Sequence, residues 1–287
     1  NFTGHRLTVR WTAAPGTGTS PSGGSVPAAG ITVSPASGSL TVPAGGTATA
    51  SVTVTTTGAS SDGSYPVTFS ASAGPARPGT APPATAVNVD VAKTGDIWPY
   101  YTNIGISSDG QVVGTGYDGS GYTYSANALA AAGLTPGAAL TVGGVGYTWP
   151  DVPPGQADSI EADGQTIPVA FPAGTTKIGL LGSAIDAGAG GATGTLTVTY
   201  TDGSTQQIPI AFSDWTLGAG ADQLLPSDTI VATAPYRNRT SGITQPVTTY
   251  VYATSAALQP AKTVASVTLP TASGGDIGVF AIGAGTG

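Results

Sequence analysis

The chain has 287 residues, 8% of them charged, with 44 glycines, 23 prolines and no cysteine. So few lysines and glutamates exclude a mainly helical protein, and alternating runs of hydrophobic residues, 40% of the chain, exclude a disordered one. A net charge of −7 argues against a nucleic-acid partner, the lack of cysteine excludes disulfides and thiolate metal sites, and no apolar run reaches the ~20 residues of a membrane span.

Residues 1–92 predict short strands separated by turn residues. The strand-like runs occupy residues 7–13, 30–57, 65–73 and 85–92. Several short strands at this spacing predict a small antiparallel sandwich. The chain begins at Asn1 without an initiator Met or a signal peptide, so we interpret it as a fragment or processed product. Its Thr/Ser/Gly/Ala-rich composition favours a secreted, extracellular bacterial protein.

Two runs of this first region carry a family resemblance. GITVSPASGSLTVPAGGTATASVTVT (30–55), followed by DGSYPVTFSA (62–71), resembles the NPCBM-associated NEW3 domain, an immunoglobulin-like module found beside catalytic domains in secreted bacterial glycosidases. A typical member has a further strand before the position of Asn1. The resemblance therefore implies an immunoglobulin-like domain over 1–92 with an open edge, and such an edge can accept a strand from a neighbour.

A linker over residues 93–100 is predicted to separate this domain from a second one over 101–287. About ten longer strands are expected there, and a jelly-roll-like β-sandwich is the simplest way to close them. The run SANALAAAGL (125–134) predicts one short helix, with Ser125 as its N-cap and Gly133 near its end.

Three tight turns in the second region predict β-hairpins. Gly143-Gly144 lies between two strand-like runs, and Asp-Gly pairs at 163–164 and 202–203 do the same. Such pairs are the strongest short-range hairpin signal, because glycine adopts the positive φ that two-residue turns require.

The second region also resembles a known domain. The segments that carry the resemblance are YTNIGISSDG (101–110), YDGSGYTYSANALAAAGLTPGA (117–138), YTWPDVPPGQADSIEADGQTI (147–167), GTLTVTYTDGSTQ (194–206), FSDWT (212–216) and KTVASVTLP with IGVFAI (262–282). In this order they are similar to a galactose-binding-like β-sandwich at the C-terminus of secreted bacterial hydrolases, including family 92 α-mannosidases. The resemblance implies an accessory role in a carbohydrate context.

Enzyme chemistry has few candidate residues. His5 is the only histidine, so a catalytic triad would depend on it and a zinc site lacks ligands. Paired carboxylates for glycoside hydrolysis stay formally possible at Asp118, Asp151 and Asp214. Each lies beside Gly, Pro or Trp, where an aspartate commonly caps a turn. We therefore predict that the chain is not an enzyme.

Carbohydrate binding uses aromatic faces together with Asp, Asn and Arg side chains that bond sugar hydroxyls. The predicted binding residues are Tyr117, Asp118, Tyr236, Arg237 and Arg239. Tyr117 precedes Asp118-Gly119 and is expected to be exposed, and the run YRNRT (236–240) places two of five arginines beside a tyrosine. Tyr122 and Tyr124 share one face of a strand, which is either core or a sugar platform, and Trp215 is predicted to be structural.

A structural calcium ion often accompanies galactose-binding-like sandwiches. The resemblance implies a site near the first and last strands of the domain, with Asp109, Asp118 and Asp276 as carboxylate donors. Calcium binds six to eight oxygen atoms, many of them backbone carbonyls.

The sequence thus predicts an all-β chain of two β-sandwich domains, immunoglobulin-like and then galactose-binding-like. Its predicted function is that of a non-catalytic accessory region of a secreted bacterial glycoside hydrolase, which positions the catalytic domain of the same polypeptide and binds carbohydrate weakly. The alternative is a structural subunit of an extracellular assembly that self-associates by strand exchange.

Overall fold

The computed structural model describes residues 4–57, 60–73, 83–92 and 96–286. The chain divides into two compact units, Asn1–Lys93 and Thr94–Gly287. Strands dominate both units, which confirms the predicted all-β fold class. Among the described residues, no helix is long and apolar enough to cross a membrane.

The first unit consists of a six-stranded and a two-stranded antiparallel sheet. Its strands in the described residues are β1 (Leu7–Pro15), β2 (Gly18–Thr19), β3 (Ser25–Val26), β4 (Ile31–Ser34), β5 (Ser37–Val42), β6 (Thr53–Thr56), β7 (Gly63–Ala73) and β8 (Thr85–Val91). The larger sheet has the order β3-β2-β7-β1-β5, with β8 also paired to β7, and β4 pairs with β6. Strand β1 therefore lies between β5 and β7.

Few side chains of the first unit are fully buried. The buried hydrophobic residues among its described positions are Ala13, Ile31, Tyr65 and Val67. Along β1, half-buried positions alternate with exposed ones as far as Thr12, so Val9 and Trp11 lie on one face and Thr8 and Arg10 on the other. One face is thus partly covered and the other is open to solvent.

The second unit contains longer strands and two helical turns. Its strands are β9 (Ile106–Ser107), β10 (Tyr122–Ser125), β11 (Ala139–Val142), β12 (Val145–Thr148), β13 (Ile160–Glu161), β14 (Thr166–Pro168), β15 (Lys177–Ile185), β16 (Ala192–Tyr200), β17 (Thr205–Phe212), β18 (Thr229–Ala234), β19 (Arg237–Arg239), β20 (Thr244–Gln245), β21 (Thr249–Ala257), β22 (Val264–Thr268) and β23 (Asp276–Gly285). The helices are α1 (Ala126–Ala131) and α2 (Leu217–Gly220), after a 3₁₀ turn at Trp98–Tyr100.

Three sheets of the second unit form layers. The central sheet has the order β11-β12-β23-β15-β21-β18, with β13 added to β23. On one side lies the sheet β14-β22-β16-β17, and on the other lie α1 and the sheet β20-β19-β10-β9. Strand β15 shows why the central sheet is covered on both sides. Its Ile178 and Leu180 belong to one hydrophobic cluster, and its Leu181 and Ile185 belong to the other. A strand that is apolar on both faces requires cover on both.

The predicted helix and two of the three hairpins are confirmed. Ser125 caps α1, since its Oγ accepts a hydrogen bond from the amide of Ala128 at 3.1 Å. Gly143 and Gly144, with φ of 59° and 80°, form the two-residue turn between β11 and β12. The Asp202-Gly203 turn joins β16 and β17, which pair in antiparallel register.

The hairpin predicted at 163–164 is wrong. Strand β13 before this turn pairs with β23, and strand β14 after it pairs with β22. The two flanking strands thus join different sheets. Ile160 and Ile167 are both fully buried in the core that those two sheets enclose. Tertiary burial here overrides the local turn signal.

Candidate functional site

Two paired strands place an arginine over a tyrosine at the surface of the second unit. In the antiparallel register of β10 and β19, Tyr122 lies opposite Arg239 and Tyr124 opposite Arg237, so all four side chains share one face of the sheet. The guanidinium carbon of Arg237 lies 3.8 Å from the centroid of the Tyr122 ring and 5.2 Å from that of Trp215. The guanidinium carbon of Arg239 lies 5.5 Å from the Tyr122 centroid.

The Arg237 guanidinium is held in place but not neutralised by a direct ion pair. Its Nε donates a hydrogen bond to Gln245 Oε1 at 2.7 Å. In the part of the chain that the structure describes, its terminal nitrogens hydrogen-bond to no residue and lie within ion-pair distance of no carboxylate. Stacking and the Nε bond thus pre-organise a planar fork whose outer N–H groups face solvent.

Asp118 shapes the turn that leads into β10. One of its carboxylate oxygens accepts hydrogen bonds from the amides of Ser120 at 2.9 Å and Tyr122 at 3.0 Å. The two glycines of this turn, Gly119 and Gly121, have φ of 69° and 94°. Asp118 is therefore a turn-stabilising residue, and its second oxygen hydrogen-bonds to no described residue.

A second acidic residue, Asp186, directly follows β15, and its backbone is in the left-handed conformation. Asp186 has a φ of 50° and is exposed. Its pKa is raised, first by partial desolvation of the carboxylate and then by the neighbouring carboxylates of Asp118, Asp214 and Asp276, while Arg237 lowers it. A non-glycine residue with positive φ is uncommon, and strained positions of this kind cluster at functional sites.

Asp214 anchors the neighbouring loop. Its Oδ1 accepts hydrogen bonds from the backbone amide and the hydroxyl of Thr216, at 2.8 and 2.6 Å, and its Oδ2 accepts one from Ala187 N at 3.3 Å. The chain then makes a left-handed turn, with φ of 50° at Leu217 and 57° at Ala219. The left-handed helical conformation costs about 1–2 kcal/mol per residue, so the bonds to Asp214 hold a strained segment next to Asp186.

These groups form one mixed surface, which we call the Arg237 surface: Tyr122, Arg237, Arg239, Asp118 and Asp186. Partial burial lowers the pKa of Arg237, and the carboxylates of Asp118 and Asp214 oppose that shift. The surface thus combines hydrogen-bond donors, carboxylate acceptors and an aromatic ring.

An aromatic cluster lies beneath this surface. Tyr117, Tyr124 and Trp215 meet at centroid distances of 5.0 to 5.4 Å in edge-to-face contacts, and Phe280 stacks on Tyr117 at 5.6 Å. The hydroxyl oxygens of Tyr117 and Tyr124 lie 2.7 and 2.9 Å from Ser183 Oγ. Burial raises the pKa of both tyrosines.

The exposure predicted for Tyr117 is therefore wrong. Its side chain is only 1% exposed, because the turn after it projects into solvent while its own ring packs on Phe280. Trp215 is buried, as predicted for a structural residue. Tyr124 belongs to the core, whereas Tyr122 is partly exposed and carries the arginines.

Tyr236 and Asp109, predicted to bind sugar and metal respectively, bind each other. The Tyr236 hydroxyl donates to Asp109 Oδ2 at 2.8 Å, and the Ser125 hydroxyl donates to Asp109 Oδ1. Asp276 begins β23 opposite Ile185. Within 4–57, 60–73, 83–92 and 96–286, no group of three or more His, Cys, Asp or Glu is placed to hold a metal ion; calcium binding stays a prediction.

A small cavity of about 20 Å³ under α1, room for one water molecule, adjoins a buried carboxylate. Asp158 is 1% exposed and accepts hydrogen bonds from the amides of Gly105 at 2.8 Å and Ile106 at 2.9 Å. Burial raises its pKa well above the usual range, and the two amide bonds oppose that shift. The carboxylate thus ties β9 to the core.

Sequence reasoning missed Asp186 and Gln245. Asp186 carries a faint signal, since it follows the mostly apolar run 178–185 at the point where the chain must leave the sheet. Gln245 carries none, because its role depends on the pairing of β19 with β20.

The fold and this layered core define a β-sandwich domain. The chain belongs to the AziU2-like beta-sandwich domain family, whose model matches residues 96–287. That match covers the unit that carries the Arg237 surface, and it supports the β-sandwich that the sequence predicted there. No curated protein matches the chain.

Proposed function

We propose that the chain is the non-catalytic accessory region of a secreted bacterial glycoside hydrolase, and that the Arg237 surface binds carbohydrate weakly. The proposal rests on the resemblance of both regions to modules of such enzymes. One observation carries it furthest: the guanidinium carbon of Arg237 lies over the Tyr122 ring, 3.8 Å from its centroid, and its terminal N–H groups are free of described protein acceptors.

The chemistry of this surface suits sugar hydroxyls. A hydroxyl group both donates and accepts hydrogen bonds. Arg237 and Arg239 offer donors, and the free oxygens of Asp118 and Asp186 offer acceptors. Arg237 covers one face of Tyr122, so a sugar ring would contact the guanidinium plane instead of the tyrosine. An open surface of this kind favours weak binding over the tight binding of an enclosed pocket.

The roles of the aspartates favour binding over catalysis. Oxygens of Asp118 and Asp214 accept backbone hydrogen bonds that build turns, which is the structural role expected of turn aspartates. Replacing either would remove a turn as well as a charge. The catalytic domain of the same polypeptide is the partner that the resemblance implies, with the present chain positioning it near glycan.

Affinity electrophoresis in gels that contain neutral plant, fungal and bacterial polysaccharides tests the proposal, with and without calcium. We expect retardation that Arg237→Ala abolishes and that Lys177→Ala, which removes one charge elsewhere on the same unit, leaves unchanged. Retardation that survives Arg237→Ala would place sugar binding elsewhere. A retardation that needs calcium would in addition support the predicted ion.

A second candidate function, self-assembly, is favoured by the first unit. Its two-stranded sheet of β4 and β6 has no third strand in the described residues, so each strand has an open edge. Size-exclusion chromatography separates the candidates. Discrete monomers at high concentration argue against assembly, and filaments or rings would make assembly the main role.

A further inference from the structure

The open face of the larger sheet in the first unit carries a regular array of hydroxyl groups around one arginine. In the register of β1 with β5, Arg10 lies opposite Ser39, and in the register of β1 with β7 it lies opposite Ser72. The neighbouring rows add more hydroxyls to the same face, since directly opposed residues of an antiparallel pair point to one side. This Arg10 face consists of Thr8, Arg10, Thr12, Ser37, Ser39, Thr41, Ser70 and Ser72.

All eight of these side chains are exposed, and their polar atoms are free. None of the seven hydroxyls and none of the Arg10 nitrogens makes a side-chain hydrogen bond or an ion pair with a residue of the described ranges. Arg6, just before β1, is exposed and equally unpaired there. The face is therefore open to a ligand.

Charge is distributed unevenly between the two units. Residues 1–93 contain four Lys or Arg and two acidic residues, which gives a net charge of +2. Residues 94–287 contain four Lys or Arg and thirteen acidic residues, which gives a net charge of −9. No member of the Arg10 face carries a carboxylate. Within the first unit, a ligand on this face thus meets the positive charges of Arg6 and Arg10, and such exposed charges act within about 8–10 Å in physiological salt.

We infer that the Arg10 face binds an anionic polysaccharide whose sugars carry carboxylate groups. The guanidinium fork matches a carboxylate in two parallel hydrogen bonds, and the free Ser and Thr hydroxyls pair with sugar hydroxyls on either side. An exposed sheet face suits an extended polymer rather than a small molecule, which binds best in an enclosed pocket. Nucleic acid fits less well, because its phosphate density requires many more cations than Arg6 and Arg10 supply.

This inference is independent of the Arg237 surface, which lies on the other unit. It predicts two carbohydrate contacts of different character in one chain. The first unit would prefer a charged polymer through a salt-dependent contact, and the second would hold neutral hydroxyls.

The test is affinity electrophoresis of the whole chain in gels that contain polygalacturonate, its methyl ester, dextran or RNA. We expect retardation by polygalacturonate that falls with added salt and with esterification. Arg6→Thr and Arg10→Thr should each weaken binding about twofold to fivefold, the range for a solvent-exposed ion pair. Thr is chosen because it suits a strand. Lys177→Thr, with the same charge loss on the second unit, should leave binding unchanged.

Two further variants keep the outcome clear. Ser39→Asp adds a negative charge beside Arg10 without removing the arginine, and it should also weaken binding. Ser39→Ala removes the same hydroxyl without adding a charge, and it should weaken binding less than Ser39→Asp does. Equal losses in Lys177→Thr and Arg10→Thr, equal binding of the ester, or stronger retention by RNA would overturn the inference.

Discussion

The guanidinium carbon of Arg237 lies 3.8 Å from the centroid of the Tyr122 ring, a distance typical of a cation–π contact. The two residues meet because β10 and β19 pair in antiparallel register. The contact fixes a long, flexible side chain in one orientation. A ligand then meets a charged group whose conformational freedom is already restricted, which lowers the entropy cost of binding.

A double-mutant cycle measures this contact directly. Tyr122→Ala and Arg237→Ala should show a coupling energy of about 0.5–1 kcal/mol in urea unfolding, as expected for a partly exposed pair. The same cycle with Arg239→Ala is the control, and its coupling should be smaller because the guanidinium carbon of Arg239 lies 5.5 Å from the ring centroid. Additive effects of Tyr122→Ala and Arg237→Ala would show that the stacking contributes no energy.

Ser183 should be more important for stability than its size suggests. Its hydroxyl lies within hydrogen-bond distance of the hydroxyls of Tyr117 and Tyr124, and all three groups are buried. Ser183→Ala leaves a buried tyrosine hydroxyl with a poorer partner, at a cost of about 1–3 kcal/mol in the free energy of unfolding. The exposed Ser39→Ala should change stability by less than about 0.5 kcal/mol. Equal effects of the two variants would contradict the shared-hydroxyl interpretation.

Local signals in the sequence predicted the elements whose formation is decided locally. The helix after Ser125 and the turns at Gly143-Gly144 and Asp202-Gly203 each depend on a cap or a positive φ that nearby residues supply. The turn at 163–164 has the same signal, yet its flanking strands join different sheets. Pairing there is decided by burial across the core, and the few residues around the turn carry no information about that burial.

The candidate site was predictable in composition but not in arrangement. Arg237 and Arg239 stood out because arginine is rare in this chain. Tyr122, the ring on which they stack, becomes their neighbour only through strand pairing. Tyr117 shows the opposite error, since a residue beside an exposed turn places its ring in the core. The sheet alternation that decides such cases depends on register, which single positions do not reveal.

The buried carboxyl of Asp158 should make stability fall as pH rises. Its raised pKa means that the folded protein still binds a proton where the unfolded chain, with an ordinary value near 3.8, has released it. The native state then binds more protons, so the free energy of unfolding decreases from about pH 4 up to the raised pKa. Asp158→Asn removes this contribution and should make the free energy of unfolding depend less on pH above about pH 4.

Asp158→Asn should also lower the free energy of unfolding near pH 4. Asparagine has one acceptor oxygen, whereas the amides of Gly105 and Ile106 both donate to Asp158. We expect Asp158→Asn to lose about 1–3 kcal/mol at pH 4, measured by urea unfolding. Some slope should remain, because the pKa values of Asp186 and Asp228 are also raised. If the free energy of unfolding changes with pH in the same way in Asp158→Asn and in the natural sequence, Asp158 is not the source of this pH dependence.

Two glycines of the second unit should respond to alanine in opposite ways. A Cβ atom on Gly278 would overlap the hydroxyl of Tyr117 and lie 2.6 Å from its ring carbons. That ring cannot move aside, because it is packed by Phe280 and Trp215. Gly278→Ala should therefore destabilise the protein by about 1–3 kcal/mol through overpacking. Gly188 meets no atom within 4 Å of a new Cβ and has no positive φ.

Gly188→Ala should therefore be neutral or raise the free energy of unfolding by about 0.4–1 kcal/mol, because alanine restricts the unfolded chain. Thermal unfolding of both variants measures the contrast, and a double variant Gly278→Ala/Tyr117→Leu tests its cause. Leucine lacks the ring that the new methyl group strikes, so adding Gly278→Ala to Tyr117→Leu should cost less than adding it to the natural sequence. If the cost is the same in both backgrounds, contact with Tyr117 is not what makes Gly278 necessary.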